Sequence, residues 1–543
     1  MRPLPISLEM NWKSIAILVL ACAPSAWLAW SYRDLPRIGE LHDDGIYLIS
    51  AKSLTDGKGY RILSLPGEPA QTKYPPLYPL YLSTLWRWGP GFPAMLPWAM
   101  LLQWIFVPLL IWLSAIYYSR HGLQPALAAL LGFNAYVLAF GTSLFTEIPL
   151  TGLLLLCLLF GEKRWVVSAG LIAGVAYLTR TAALPLALAF PLFYWLAGER
   201  KNAVRFLAGM APAVLGWMAW SQLHRSPSLD LVNIEATNYL AYQFMNVTWE
   251  MLPLVVWKNL DQLLLGIGAF AIPKTELNFF TKIVTIFVAL ITLSGIARLY
   301  RQGLMRAYIG YAVFSSAILL VWHFPPNERF TLPLLPLCLA GLFTETRNVY
   351  GMVRQVMAKP AKDQKIAGGL IAAMTVMAIF FSVSRHLESD FSVIPAGYAQ
   401  GRLDLAEKRE AYAWINQHLP AEARVLAYDD PTLYLFTGRH SIHRVIPTSY
   451  WYREDQKATV QFFREIGTYA GERGFRYLYV NESDFRRDLA EKEKTSAMKT
   501  LRQHPGLLPI FRTKRGVLYE LTVPAQNQRI SGVTVNLRNS TAP

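Results

Sequence analysis

The sequence predicts a helical polytopic membrane protein of about eleven spans that ends in an α/β domain, and three observations predict it. The 543 residues are 53% hydrophobic and only 16% charged, too apolar a balance for one soluble globule. Apolar stretches of bilayer length or slightly less recur from residue 14 to residue 383. After Val383 the chain turns charged, and its periodicity mixes helix with strand.

The predicted spans are 14–31, 93–118, 123–141, 147–160, 166–178, 182–196, 206–222, 279–297, 307–322, 330–343 and 366–383. The first run has basic residues before it and an Ala-rich end, as a signal peptide would. So many spans follow that it reads as an uncleaved first span. With the N-terminus in the cytoplasm, the inner segments carry Lys or Arg at about one residue in four and the outer ones at about one in eleven. That bias fixes the orientation, and an odd number of spans places the C-terminal region outside. It also explains the net charge of +16 through inner loops and anionic membrane lipids, so nucleic acid is not an expected partner. The three cysteines, Cys22, Cys157 and Cys338, all lie in apolar spans, which excludes a disulfide framework and a cysteine-rich zinc motif.

Among the outer segments, Ile46–Leu54 and Leu77–Trp88 read as amphipathic helices lying along the interface. Residues 251–272 are apolar with Lys258 and Asp261 near their middle, which suits a half-inserted segment. Three domains result: a membrane part over 1–384 with its first outer loop at 32–92, an outer α/β domain over 385–524, and a disordered tail over 525–543. In the α/β domain, Leu405–His418 and Thr459–Arg473 read as helices, and Arg424–Tyr428, Phe475–Val480 and Val517–Val523 as strands. Asp429-Asp430-Pro431 reads as a turn.

The stretch from Glu40 to Pro79 departs most from its apolar surroundings. It opens on Asp43 and Asp44 and closes on Lys73 and Tyr74 ahead of Pro75-Pro76. One of the two acids can cap the helix that begins at Ile46, which leaves the other free. A free Asp can serve as general base toward a hydroxyl, and its acidic neighbour raises its proton affinity. Alternatively, His42, Asp43 and Asp44 hold a divalent cation. Lys73 is either a membrane anchor or, stiffened by the two prolines, a phosphate contact. The chosen topology brings Glu147, Arg180, Glu328 and Arg329 to the same outer face. Glu147 can simply favour a helix N-terminus, Arg180 can reach headgroups, and Glu328 and Arg329 can pair with each other. Together, carboxylates and cations converging at one membrane face suit an anionic, membrane-embedded substrate.

These residues carry a resemblance. The acidic pair with an aromatic three residues on (Asp43, Asp44, Tyr47), the lysine before Pro-Pro (Lys73, Pro75, Pro76) and the acid opening the fourth span (Glu147) stand in that order. A basic residue after Leu-Thr (Arg180) and the run Arg329, Phe330, Leu332, Pro333, Pro336 follow. Over residues 10–345 the chain resembles the GT-C superfamily of membrane glycosyltransferases that use polyprenyl-phosphate sugars, namely the protein O-mannosyltransferases of glycosyltransferase family 39 and the lipid A aminoarabinose transferases. Two departures are Glu147, where relatives often have Asp, and Tyr74, inserted between Lys73 and the prolines. The resemblance implies inverting transfer of a sugar from a polyprenyl-phosphate donor to a lipid, glycan or protein acceptor on the outer face of a bacterial inner membrane. It implies Asp43 as base and Lys73 on the lipid phosphate, with Arg180 and Arg329 as further phosphate contacts. No cofactor beyond the candidate divalent cation is expected. A transporter or flippase, or a non-catalytic scaffold, are the rival readings. A transporter would place its charges at mid-membrane and usually carry repeats.

Overall fold

The computed structural model describes residues 11–39, 41–226, 231–274, 278–358, 362–485 and 489–522. The expected tail at 525–543 lies outside them. Among the described residues, five helices are long and apolar enough to cross a membrane: Trp12–Ser31, Leu96–Arg120, Arg200–Leu223, Phe279–Arg301 and Ile366–His418. Val166–Thr179, Thr181–Leu196 and Arg306–Leu320 are shorter apolar helices. The 16-residue helix Glu147–Glu162 runs through the main core with most of its residues buried. The protein is thus a helical polytopic membrane protein.

The predicted span 123–141 folds differently, and the predicted span 330–343 is interrupted by a 3₁₀ turn at Leu332–Leu334. Residues 123–141 form a 3₁₀ turn at Pro125–Ala128 and two short helices, Ala129–Gly132 and Ala135–Gly141. Pro125 starts the first piece, and the side chain of Asn134 caps the last by accepting from the Tyr136 N–H, so neither favours a single rod. The segment 251–272 contains one helix, Leu252–Ala269, whose two charges are paired. Lys258 reaches Glu454 at 2.5 Å, and Asp261 accepts from Lys282 at 2.9 Å.

The loop 32–92 is a folded layer. Helices Asp43–Thr55 and Leu77–Trp88 pack on each other around Tyr47, Leu48, Tyr78 and Leu82. Leu77–Trp88 keeps one exposed face with Leu80 and Trp88, as an interfacial helix does. Asp43–Thr55 does not. It is buried on several sides, because the C-terminal domain covers the face that the sequence pattern assigns to lipid headgroups.

Helix Lys362–Glu388 passes through one π-helical turn, Ser389–Val393, into Ile394–His418. The apolar-to-polar change near residue 384 therefore falls inside a continuous helical segment. Its part from Ile366 to His418, 53 residues, is about 80 Å long. It leads into a five-stranded sheet of β1 (Val425–Ala427), β2 (Ser441–Ile442), β3 (Tyr477–Asn481), β4 (Leu507–Arg512) and β5 (Gly516–Leu521). The order is β2-β1-β3-β5-β4. β1 runs parallel to β2 and β3, and β5 antiparallel to β3 and β4. β1, β3 and β5 lie where the sequence pattern puts them. β2 is only two residues long, and β4 carries Pro509 beside a register shift, so neither shows a readable alternation. Thr459–Arg473 divides into Gln456–Arg464 and Ile466–Glu472. Asp429-Asp430-Pro431 is the start of a helix, Asp430–Thr437, with Pro431 in its first turn, and not a free turn.

Segments that connect the apolar helices complete this domain. Ile62, Leu65, Val232, Ile234 and Tyr242 share one core with Leu426, Leu478 and Val480 of the sheet. The Ser441 N–H donates to the Ser64 carbonyl at 2.8 Å, so the first loop continues the sheet edge.

Candidate active site

Most of the polar residues that the sequence singles out meet between the loop 32–92 and the helix ends that carry Glu147, Arg180 and Arg329. Asp43 stands in the first turn of its helix, behind His42 at φ +63. Its Oδ1 accepts from the Tyr74 hydroxyl at 2.5 Å, which ties the two ends of the loop together. Its Oδ2 pairs with the Arg329 guanidinium. Arg329 lies in the short helix Glu328–Thr331, capped by Asn327, and rests on the Phe145 ring at 4.4 Å. A second nitrogen of Arg329 binds Glu147. Glu147 is 1% exposed, and the same oxygen also meets Arg180 at 3.0 Å. Arg180 sits at the break between two apolar helices, where its extended backbone and a 3.0 Å bond to the Thr146 hydroxyl aim it inward. Arg180, Glu147, Arg329 and Asp43 thus form one alternating chain of charge.

Lys73 begins a second chain. Its Nζ is 2.6 Å from Glu235, and it lies over the rings of Tyr239 at 4.6 Å and Tyr74 at 5.3 Å. Glu235, on helix Leu231–Thr237, is 3.5 Å from Nε2 of His443. His443 Nδ1 is 3.0 Å from Asp430 Oδ1, and His42 Nδ1 is 3.3 Å from that same oxygen. The second chain therefore ends in the α/β domain and returns to the first loop.

Two expected members stand apart. Asp44 turns away from Asp43, accepts the Gly39 N–H at 2.8 Å and is 4% exposed. Neither acid is the helix cap, which is His42 with no side-chain bond to the helix. Glu328 pairs with Lys274 and not with Arg329. The trio His42, Asp43 and Asp44 does not converge as a cation site either. Asp43 is taken by Arg329 and Tyr74, Asp44 by Gly39, and His42 points to Asp430. Adjacent side chains at a helix start diverge, which is the physical reason.

Electrostatics separates the two aspartates. Burial works against charge on Asp43, but Arg329, then Lys73 and Arg180, with the Tyr74 hydroxyl, hold its carboxyl below the usual carboxylate range. Burial raises Asp44 to about 7 against the Gly39 hydrogen bond, with Asp429 and Asp43 adding to the rise. On Glu235 burial is outweighed by Lys73 and His443, which hold it low. On His443 burial is outweighed by Asp430 and Glu235, which raise it to about 10. Asp43 is thus an ionised acceptor among fixed cations, and Asp44 is a buried structural acid.

Such a cluster can bind an oxyanion by exchange of partners. Arg329 is buried and Arg180 and Lys73 are half-buried; the present partners of all three are carboxylates, and a phosphate can take the place of one of these at comparable geometry. An arginine that leaves Asp43 for a phosphate raises the proton affinity of the aspartate, which suits a general base.

No protein-family model matches the chain, and no curated protein matches it. Solved structures do. ArnT from Cupriavidus metallidurans bound to undecaprenyl phosphate aligns with a TM-score of 0.51 at 13% identity, over 93% of this chain and 98% of that one. The chain has the ArnT fold. The apo state of the same ArnT aligns at 0.49 with 12% identity over the same shares. Arabinofuranosyltransferase AftD from mycobacteria aligns at 0.42 with 15% identity, over 94% of this chain and 40% of that one. The match to ArnT runs through both the membrane helices and the C-terminal domain, so the α/β domain belongs to the shared architecture. This is the GT-C-like fold that the sequence resemblance implies.

Sequence reasoning does not reach Glu235, Tyr239, Asp430 or His443. Glu235 and Tyr239 lie in a polar connecting segment without a motif, and His443 follows a two-residue strand. The one available signal was Asp430 beside Asp429, which also fits an ordinary turn.

Proposed function

We propose that the protein is a membrane glycosyltransferase that moves a sugar from a polyprenyl-phosphate donor to an acceptor hydroxyl on the outer face of the membrane, with inversion. The acceptor oxygen attacks the anomeric carbon, the bond from that carbon to the phosphate oxygen breaks, and polyprenyl phosphate leaves with the electron pair. Asp43 takes the acceptor proton. Lys73, Arg180 and Arg329 hold and neutralise the phosphate, and Glu147 keeps the two guanidiniums in register until it arrives. A phosphate monoester is a good leaving group, so one base and a cationic clamp suffice, where a glycosidase needs two carboxyls.

The observation that carries this reading is the alternating chain from Arg180 through Glu147 and Arg329 to Asp43. It gathers residues 43, 147, 180 and 329 into one cluster, with Glu147 and Arg329 buried and Asp43 and Arg180 half-buried. The ArnT fold and the undecaprenyl phosphate bound in that ArnT structure favour the same donor class. The test is incubation of purified protein with labelled polyprenyl-phosphate sugars. Release of polyprenyl phosphate is expected with the native chain. Loss of about 10²–10⁴-fold is expected for Asp43→Asn, the range a positioned base contributes. A folded Asp43→Asn protein with native rate would remove Asp43 from the reaction.

A further inference from the structure

We propose that His42, Asp430 and His443 bind one first-row divalent transition-metal ion, zinc by donor preference, which fastens the α/β domain to the first outer loop. The proposal does not rest on the transferase reading.

The donor atoms set the case. One ligand atom from each of the three residues lies within 4.8 Å of the other two. His443 Nδ1 and His42 Nδ1 lie 3.0 and 3.3 Å from Asp430 Oδ1. Two ligands at about 2.0–2.1 Å from a tetrahedral zinc stand about 3.3 Å apart, so these spacings fit a common ion with little movement. Two imidazoles and one carboxylate are a borderline donor set, suited to zinc and poorly suited to calcium or magnesium, which take oxygen ligands. The Asp430 side chain is 5% exposed. His42 Nδ1 is screened from solvent and makes no hydrogen bond of its own.

The surroundings give a second, independent observation. Glu235 stands 3.5 Å from Nε2 of His443, on the far side of the ring from Asp430. A ligating histidine characteristically donates its other ring N–H to a carboxylate, which fixes the tautomer and turns the free nitrogen to the metal. Glu235 also holds Lys73 at 2.6 Å, so the ion would stand one carboxylate away from the lysine of the first loop. His42 adopts φ +63, a conformation rare for a side chain of this kind, and it is this turn that brings its ring to 4.7 Å from the His443 ring. Residues 42 and 443 come from opposite ends of the chain, and the proposed ion would join the loop to the domain directly.

The rival occupant is a proton on His443 shared with Asp430, and metal content separates the two. Full-length protein purified in detergent, reconstituted with zinc and passed through a desalting column, is expected to retain about one zinc per chain by elemental mass spectrometry. His42→Ala and His443→Ala are expected to lose it. His443→Cys, which supplies another zinc ligand, is expected to keep it, whereas a misfolded protein would lose it in every variant. Glu235→Gln is expected to weaken zinc affinity about 10–100-fold. Retention of less than about a tenth of an equivalent by the native chain, or equal retention by both alanine variants, would overturn the proposal. The readout is metal content, so it stands or falls separately from any transfer assay.

Discussion

At the scale of single residues, Arg329 is the hinge of the cluster because one guanidinium serves two carboxylates, Asp43 and Glu147. Lysine carries the charge but lacks the planar fork, so it can meet only one of them well. Arg329→Lys is therefore expected to fold and to lose at least about tenfold in transfer rate, a loss of positioning equivalent to about 1.4 kcal/mol. Arg329→Ala removes the shared partner of the buried Glu147 and the half-buried Asp43. Breaking a buried ion pair costs about 3–5 kcal/mol, so this variant is expected to melt well below the native chain in a fluorescence thermal scan. If both variants melt with the native protein, the pairing is not structural.

The two adjacent aspartates give a second residue-scale prediction. Asparagine at 44 would keep an acceptor oxygen for the Gly39 N–H and remove only a charge that burial already disfavours. Asp44→Asn is accordingly expected to retain transfer within about threefold (a barrier change under about 1 kcal/mol), beside an inactive Asp43→Asn. Side-by-side rates decide it, and equal losses in the two variants would erase the distinction.

At the scale of elements, the joint between the first loop and helix Asp430–Thr437 is tight enough to test with one methyl group. Gly39 has φ +82, and a Cβ there would lie 1.7 Å from the Thr432 hydroxyl oxygen. Gly57 has φ +71, but a Cβ there meets nothing within 4 Å. Both alanine substitutions bear the left-handed backbone cost of about 1–2 kcal/mol. Only Gly39→Ala adds a clash, typically a further ~1–3 kcal/mol. The melting temperature should fall more for Gly39→Ala than for Gly57→Ala, and equal shifts would mean that the joint is loose.

The same joint marks the limit of what could be read from the sequence. Helix Leu77–Trp88 was legible because its apolar stripe has helical period, and it folds over the residues expected. Asp43–Thr55 was legible as a helix but not as a buried one, since its covering layer is nearly four hundred residues away. Asp43, Glu147, Arg180 and Arg329 were legible as charges between apolar spans. Which pairs with which was not, as the expected pairing of Glu328 with Arg329 illustrates. Sequence spacing places residues on a face, whereas the choice of partner depends on how helices from distant parts of the chain close on one another.

At the scale of the whole molecule, the α/β domain and the membrane part share a core. Ile62 and Leu65 from the first loop, with Val232, Ile234 and Tyr242 from the connecting segment before Asn246, fill the sheet's own apolar layer. Fully burying a side chain of this size is worth about 1.5–3 kcal/mol, so five of them are comparable to the whole stability margin of an ordinary domain. Glu235 sits on the same short helix as Val232 and Ile234, and it holds Lys73. Removing the domain should therefore expose this helix and release the lysine together. A chain ended at Glu388 is expected to be cut by protease within residues 56–73 and 231–246 under conditions in which the full chain resists. It is also expected to lose affinity for polyprenyl phosphate even though Asp43, Glu147, Arg180 and Arg329 all remain. Protection of both segments in the shortened chain would mean that the membrane part organises the lysine without the domain.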